Sequence, residues 1–316
     1  MKLCGLIFLL AFTVRFINLL FLDLNIDTYL IEDQKFYWDW SLKGAYLPWN
    51  ELSSLLLTER MPGTFLFYGF LQWLTTNNLF FVLILQALLD SFTCVIIFLC
   101  AGLLNKKYEL FTGMFAIFSP LMIIISSQIL SDTLFLFLFT FSLFFLLKYW
   151  RSSNSKKYIY LAGLFLGLST FIRAATFPLI FISLPIIFLI IKKSGNNYIK
   201  CFSTLSIFLL MALAPISNRI VENMIEYDTY SLTSQGGSHM AYWMVPGVLS
   251  VSKDMDRNSA VNLVNMEINK LGGVTGQPFK DSKKRVNASI NILKQENIYD
   301  ITYAWFRSSV INIISS

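Results

Sequence analysis

The sequence predicts an all-α polytopic membrane protein. Hydrophobic residues fill 55% of its 316 positions, charged residues only 14%, and the mean hydropathy is +0.60. Soluble domains carry roughly 25% charged residues. Apolar runs of about 18 residues or more recur, each long enough to cross about 30 Å of hydrocarbon as a helix. No ten-residue stretch alternates apolar and polar positions as the strands of a membrane barrel must.

Taken in order, the helix expectations fall at 3–22, 79–104, 110–128, 133–150, 158–172, 175–191, 198–216 and from about 301. The first run is read as a retained helix rather than a signal peptide, because Arg15 interrupts it and no small-x-small cleavage site follows. The run 64–74, FLFYGFLQWLT, is too short to span. It reads as an interfacial helix with Trp73 and Tyr68 at headgroup depth.

Basic residues set the orientation, since they stay cytoplasmic. Lys2, the pair Lys106 and Lys107, the group Lys148, Arg151, Lys156 and Lys157, and the group Lys192, Lys193 and Lys200 fall at alternate connections. All are cytoplasmic if the N-terminus is. The net charge of +6 is therefore topology and not a sign of nucleic-acid binding. The other side receives a first outer loop, 23–78, the turns at Asp132 and at Arg173, and the polar stretch 217–300. That scheme gives a transmembrane core over 1–216, an extracytoplasmic loop or subdomain over 217–300 with helices at 260–270 and 281–295, and the start of a further membrane helix at 301–316. The chain reads as C-terminally truncated.

Cys4, Cys94, Cys100 and Cys201 lie inside apolar runs without metal-ligand or disulfide spacing. His239 is the sole histidine and no hydrolase, P-loop or dinucleotide motif accompanies it. The outer segment 23–60 is acidic, with Asp23, Asp27, Glu32, Asp33, Asp39, Glu51 and Glu59 against Lys35, Lys43 and Arg60. Most of these acids serve to solvate the loop. Asp132 sits between two apolar runs and admits two readings, a helix cap or a carboxylate for chemistry. Arg173, in LSTFIRAATFP, suits a phosphate through its planar fork. Arg15 and Asp90 lie within helices and read as structural, paired with each other or with other groups of the bundle. A polar outer cavity with carboxylates and a phosphate-binding cation fits transfer between a lipid phosphate and an external acceptor, driven by an already activated substrate.

Four segments carry a family resemblance. They are Asp33-Gln34-Lys35-Phe36-Tyr37, Arg60-Met61-Pro62-Gly63, Ser127 to Leu134 (SQILSDTL), and Gly163 to Arg173 (GLFLGLSTFIR). In this order they resemble the GT-C fold glycosyltransferases of the protein O-mannosyltransferase and lipid A aminoarabinose transferase type, over about residues 5–190. Gln34 stands where the family usually has an acid, and Thr133 where it has proline.

The resemblance implies a GT-C-like helical bundle with extracytoplasmic loops and an inverting transfer from a polyprenyl-phosphate sugar. Asp33 is then the general base, and Asp132 orients the acceptor or steadies positive charge on the sugar. Arg173, Arg60 or Lys35 then holds the leaving lipid phosphate, and Tyr37 lines the sugar site or anchors the loop. Trp38 and Trp40 anchor the loop at the interface. The implied partners are the polyprenyl-phosphate-linked sugar, membrane lipids and an acceptor glycan, lipid or protein, with no nucleic acid. No cofactor is certain, and a divalent metal is allowed by the carboxylates but not indicated. The active site is expected to be extracytoplasmic, and the Phe-, Ile- and Lys-rich composition, which suggests an AT-rich genome, points to a bacterial inner membrane. The rival readings are a flippase for lipid-linked saccharides and a non-catalytic membrane scaffold.

Overall fold

The computed structural model describes residues 2–44, 57–153 and 155–314. Glu51 and the centre of the first outer loop lie outside the described residues. Every regular element among those described is helical. Five helices are long and apolar enough to cross a membrane: Lys2–Leu20, Leu79–Leu104, Asp132–Arg151, Ala174–Lys193 and Tyr198–Tyr227. A bent pair adds up to one more span. The described residues divide into two compact units.

The first unit runs to Gly44 and from Met61 to Arg219. It comprises α1 (Lys2–Leu20), α2 (Ile26–Tyr29), α3 (Glu32–Gly44), α4 (Pro62–Leu74), α5 (Leu79–Leu104), α6 (Glu109–Ile117), α7 (Pro120–Ser126), α8 (Asp132–Lys148), α9 (Lys157–Ile172), α10 (Phe177–Lys193) and α11 (Tyr198–Leu213). Helix α5 lies at its centre and packs against α1, α6 and α8, while α9 bridges α8 to α11. The large hydrophobics left exposed on α1 and α10, such as Leu9, Leu20, Ile182 and Leu189, are the faces a bilayer covers.

The expected single helix over 110–128 is broken. Phe118 and Ser119 part α6 from α7, and the two axes meet at a bend of 50°. Pro120 has no N–H to give to the preceding turn, and the Ser119 side chain caps Met122 N–H instead. The break strands carbonyls at the end of α6, and in hydrocarbon no water can satisfy them. Arg15 does so: its Nη1 donates to the Ile117 carbonyl at 3.0 Å and its Nη2 to Ala116 at 3.3 Å. Its Nε donates to Asp90 at 2.5 Å, with both side chains buried. The same guanidinium reaches Cys94 Sγ at 3.2 Å.

Two glycines of the 163–173 motif have a steric purpose. A Cβ on Gly163 would lie 2.6 Å from the Phe208 carbonyl, and one on Gly167 would collide with that of Ala212. Helix α9 therefore packs its backbone directly on α11, as small residues allow between membrane helices.

The second unit holds Leu57 to Arg60 and continues from Ile220. Its elements follow α12 (Ser217–Tyr227), which carries helix past the expected end at 216. They are α13 (Gln235–His239), a π-helical turn at Met240–Met244, α14 (Val245–Ser252), α15 (Arg257–Lys270), α16 (Pro278–Leu293) and α17 (Ile298–Ile314). Within the stretch expected as a loop or subdomain, the glycine-rich segment from Gln235 is helical. Ala241, Val245, Val248 and Leu249 from it are buried against Ala260, Val264, Ala288 and Ala304. The Thr58 carbonyl accepts the Ser234 N–H at 2.9 Å, which ties the 57–60 segment to this unit. Asp281 accepts from Thr275 N–H and Oγ1 and from Gly276 N–H, all at 2.8 Å. Burial works against its charge, yet these hydrogen bonds and the nearby Arg285 hold its carboxyl below the ordinary value.

Removing one partner of a buried ion pair leaves an uncompensated charge, at a cost of about 3–5 kcal/mol. Asp90→Ala is expected to lower the thermal unfolding midpoint of the detergent-solubilised chain accordingly. Arg15→Leu is expected to lower it further, because the stranded carbonyls of α6 lose their donor as well. An unchanged midpoint for Asp90→Ala would show that the pair does not hold α1 to α5.

Candidate functional site

The site is built around an irregular turn between α7 and α8, residues 127–131. Leaving a helix inside a bundle frees backbone groups that need partners. Gln86, fully buried on α5, supplies them. Its Nε2 lies 3.1 Å from the Ile125 carbonyl, 3.0 Å from that of Ser126 and 2.7 Å from that of Gln128. Its Oε1 accepts from the Tyr68 hydroxyl at 2.6 Å. That hydroxyl also lies 2.7 Å from the Leu130 carbonyl, so one proton serves two acceptors.

Tyr68 therefore does not face the headgroups. It is 1% exposed, on the inner face of α4, while Trp73 on the opposite face is exposed. Burial raises the Tyr68 phenol well above its usual value; the hydrogen bond to Leu130 works against this, and the charge of nearby Asp132 adds to it. The phenol thus stays protonated and keeps donating.

The first outer segment meets the same turn. Ile129 N–H donates to Gln34 Oε1 at 3.1 Å, and the Tyr29 hydroxyl donates to the Ser127 carbonyl. Gln72 Nε2 on α4 donates to the Trp38 carbonyl at 3.0 Å. Trp38 is 4% exposed, so it is a packing residue of α3 and not the interfacial anchor expected of it. Tyr37 and Trp38 are buried, while Lys35 and Asp39 are exposed, as is Asp33 in the first turn of α3, one turn ahead of Tyr37 on the same face.

The residues singled out in the sequence fall as follows. Asp33 lies exposed in the first turn of α3, next to Gln34. Lys35 is exposed on the same helix. Tyr37 is buried, its ring 5.2 Å from Phe65. Asp132 opens α8, three residues after Ile129. Ser131 makes no side-chain cap there, and the Asp132 carboxylate pairs with the Arg173 guanidinium. Arg173 caps α9 with extended backbone, and its guanidinium lies 5.7 Å from the Phe135 ring centre. Both partners are partly open to solvent. Arg60 belongs to the segment grouped with the second unit.

Asp33 and Asp132 thus come to one end of the bundle, with Arg173 beside the second. Gly63 draws α4 to the same end: a Cβ there would lie 2.7 Å from the Phe171 carbonyl, two residues before Arg173. Among the described residues no three of His, Cys, Asp and Glu cluster as a metal site. Gln86 and Tyr29 are not among the residues singled out in the sequence, where Tyr68 has only an interfacial role. Gln86 had a signal, since a polar amide amid FVLILQALL is costly in a membrane helix unless it bonds something.

An exposed carboxylate, a second carboxylate paired to an arginine, and a bundle of apolar helices define an integral membrane protein with a polar site at one end. Residues 59–221 match the profile of the dolichyl-phosphate-mannose-protein mannosyltransferase family. The chain belongs to that family of membrane glycosyltransferases. The matched stretch includes Arg60, Asp132 and Arg173, while Asp33, Lys35 and Tyr37 precede it. No curated protein matches the chain. No solved structure matches it either.

Tyr68→Phe keeps the ring and removes the shared proton. It is expected to cost about 1–3 kcal/mol, because two buried acceptors lose their donor. The check is the unfolding midpoint in detergent. Wild-type stability would mean that the Gln86 and Leu130 oxygens find other donors.

Proposed function

We propose that the chain transfers a sugar from a polyprenyl-phosphate donor to an acceptor glycan, lipid or protein outside the cytoplasm, inverting the anomeric centre. The observation that supports this best is the convergence of Asp33, Asp132 and Arg173 at one end of the bundle in a chain of this family. The orientation that goes with it puts the N-terminus in the cytoplasm and 217–300 outside, in a bacterial inner membrane.

Asp33 takes the proton of the acceptor hydroxyl. The hydroxyl oxygen forms a bond to the anomeric carbon as the bond from that carbon to the phosphate oxygen breaks. The electron pair leaves with the polyprenyl phosphate. Charge grows on that phosphate in the transition state, and preorganised cations are most effective against such charge. Arg173, beside Asp132, is the cation that meets this charge, with Lys35 on the helix of Asp33 assisting. Asp132 engages part of the Arg173 fork and so fixes its plane, leaving the other N–H groups for phosphate. Asp132 also faces the acceptor side, where it orients the nucleophile. Tyr37 backs the sugar site through its contact with Phe65.

Asp33→Asn is the decisive variant. It is expected to lower transfer by about 100- to 10,000-fold, the usual worth of a positioned general base, while insertion into the membrane is unchanged. Full activity in that variant, with a purified polyprenyl-phosphate sugar as donor, would overturn the reading. Movement of the donor across proteoliposomes without a new glycosidic bond would replace it with transport. Arg173→Lys is expected to lower kcat/KM by about tenfold or more, since a point charge cannot hold a carboxylate and a phosphate in one plane. Equal kcat/KM would remove Arg173 from phosphate binding.

A further inference from the structure

The proposed reaction needs Asp33 and Asp132 at a set separation, yet each lies at the start of its own helix, far apart in the chain. The structure joins them through backbone. Tyr29 and Gln34 flank Asp33 in sequence, and both bond the 127–131 turn. Between these two anchors Leu30 is buried at 2% exposure, and Glu32 takes a φ of +47°. A non-glycine residue adopts that left-handed conformation at a cost, and persists there when its surroundings over-determine it. The two anchors over-determine it here, and the bend at Glu32 delivers Asp33 to the first turn of α3. The far side of the link is set by Gln86, whose amide holds the carbonyls of Ile125, Ser126 and Gln128 just before Asp132.

We propose that Gln34 and Gln86, each hydrogen-bonded to the turn that precedes Asp132, are positioning residues that set the separation of Asp33 from Asp132. This rests on the reading of those aspartates as the reacting pair. The amide is the right group at both places. At position 34 an oxygen acceptor is needed for Ile129 N–H, and a neutral one adds no charge beside Asp33. At position 86 the side chain must donate to carbonyls and accept from a phenol at once, which a carboxylate cannot do. Small errors of placement matter, since a shift of about 1 Å in a reacting geometry can cost roughly 100-fold in rate.

The test reads geometry and turnover separately, on the full chain in detergent or nanodiscs. Asp33→Cys and Asp132→Cys are introduced together and treated with a flexible bis-maleimide, and the joined peptides are identified by mass. The parent pair is expected to link. Adding Gln34→Met, which keeps the length and removes the acceptor, is expected to reduce linking by about fivefold or more. Gln34→Glu, which keeps an oxygen acceptor, is expected to restore it. Gln86→Glu, which removes the donor to the turn, is expected to reduce linking as Gln34→Met does, and because Gln34 is only part-buried its variants decide the matter even if Gln86→Glu fails to fold. In the chain with both aspartates, Gln34→Met is expected to lower kcat by about tenfold with donor KM unchanged.

Linking that is unaffected by Gln34→Met, or absent from the parent pair, overturns the proposal whatever the enzyme does. Linking that responds as expected, together with no transfer by the chain that keeps both aspartates, supports the clamp and defeats the proposed function instead. A variant that loses KM rather than kcat would show Gln34 to be a binding residue, and would overturn the positioning role.

Discussion

The carbonyls of Ile125, Ser126 and Gln128, at and just beyond the end of α7, all meet the Gln86 carboxamide. The rest of the site depends on that amide. It holds the turn from which α8 starts, so it sets where Asp132 begins and where Arg173 must reach. Through Tyr68 it ties α4 to the same turn, and α4 in turn carries α3 by way of Gln72 and Phe65. In a bilayer each of these groups would cost several kcal/mol if left alone. The network is therefore held by the penalty of opening it more than by the strength of any one bond.

The same logic operates at the other end of α7. There the break at Phe118 and Ser119 frees carbonyls of α6, and Arg15 receives them while Asp90 neutralises the cation. Helix α7 is thus a short apolar segment with a long polar side chain stationed at each of its breaks. Both side chains come from neighbouring helices, α1 and α5. A bundle can tolerate a bend of 50° within its interior only with such donors in place.

Much of this was legible in advance. The ends of α5, α8, α9 and α10 fall within a few residues of the limits set by apolar run length and basic flanks. The pairing of Asp132 with Arg173 agrees with their assignment to one side of the membrane. The errors have physical causes. Pro120 divides an apolar run that is long enough for one helix, because it lacks the N–H a continuous helix requires. Tyr68 and Trp38 were placed at the headgroups because aromatic residues gather there, but the same rings fill cores, and burial rather than residue type decides. Helices were expected in 217–300 only at 260–270 and 281–295, yet the stretch around Gln235 is helical as well. Gly237 is there because Ser282 of α16 leaves no room for a Cβ, a cause that does not show in the sequence.

What the sequence by itself determined is the solvent of this protein and the order of its helices. Apolar length and charge placement answer to the bilayer locally, residue by residue, and need no knowledge of neighbours. What the tertiary structure decided is which polar groups meet. Gln34, Gln86 and Tyr68 share no motif, and lie tens of residues from the turn they hold. Their meeting is fixed by how helices pack and by which backbone groups that packing strands, and neither is written in any local stretch of chain.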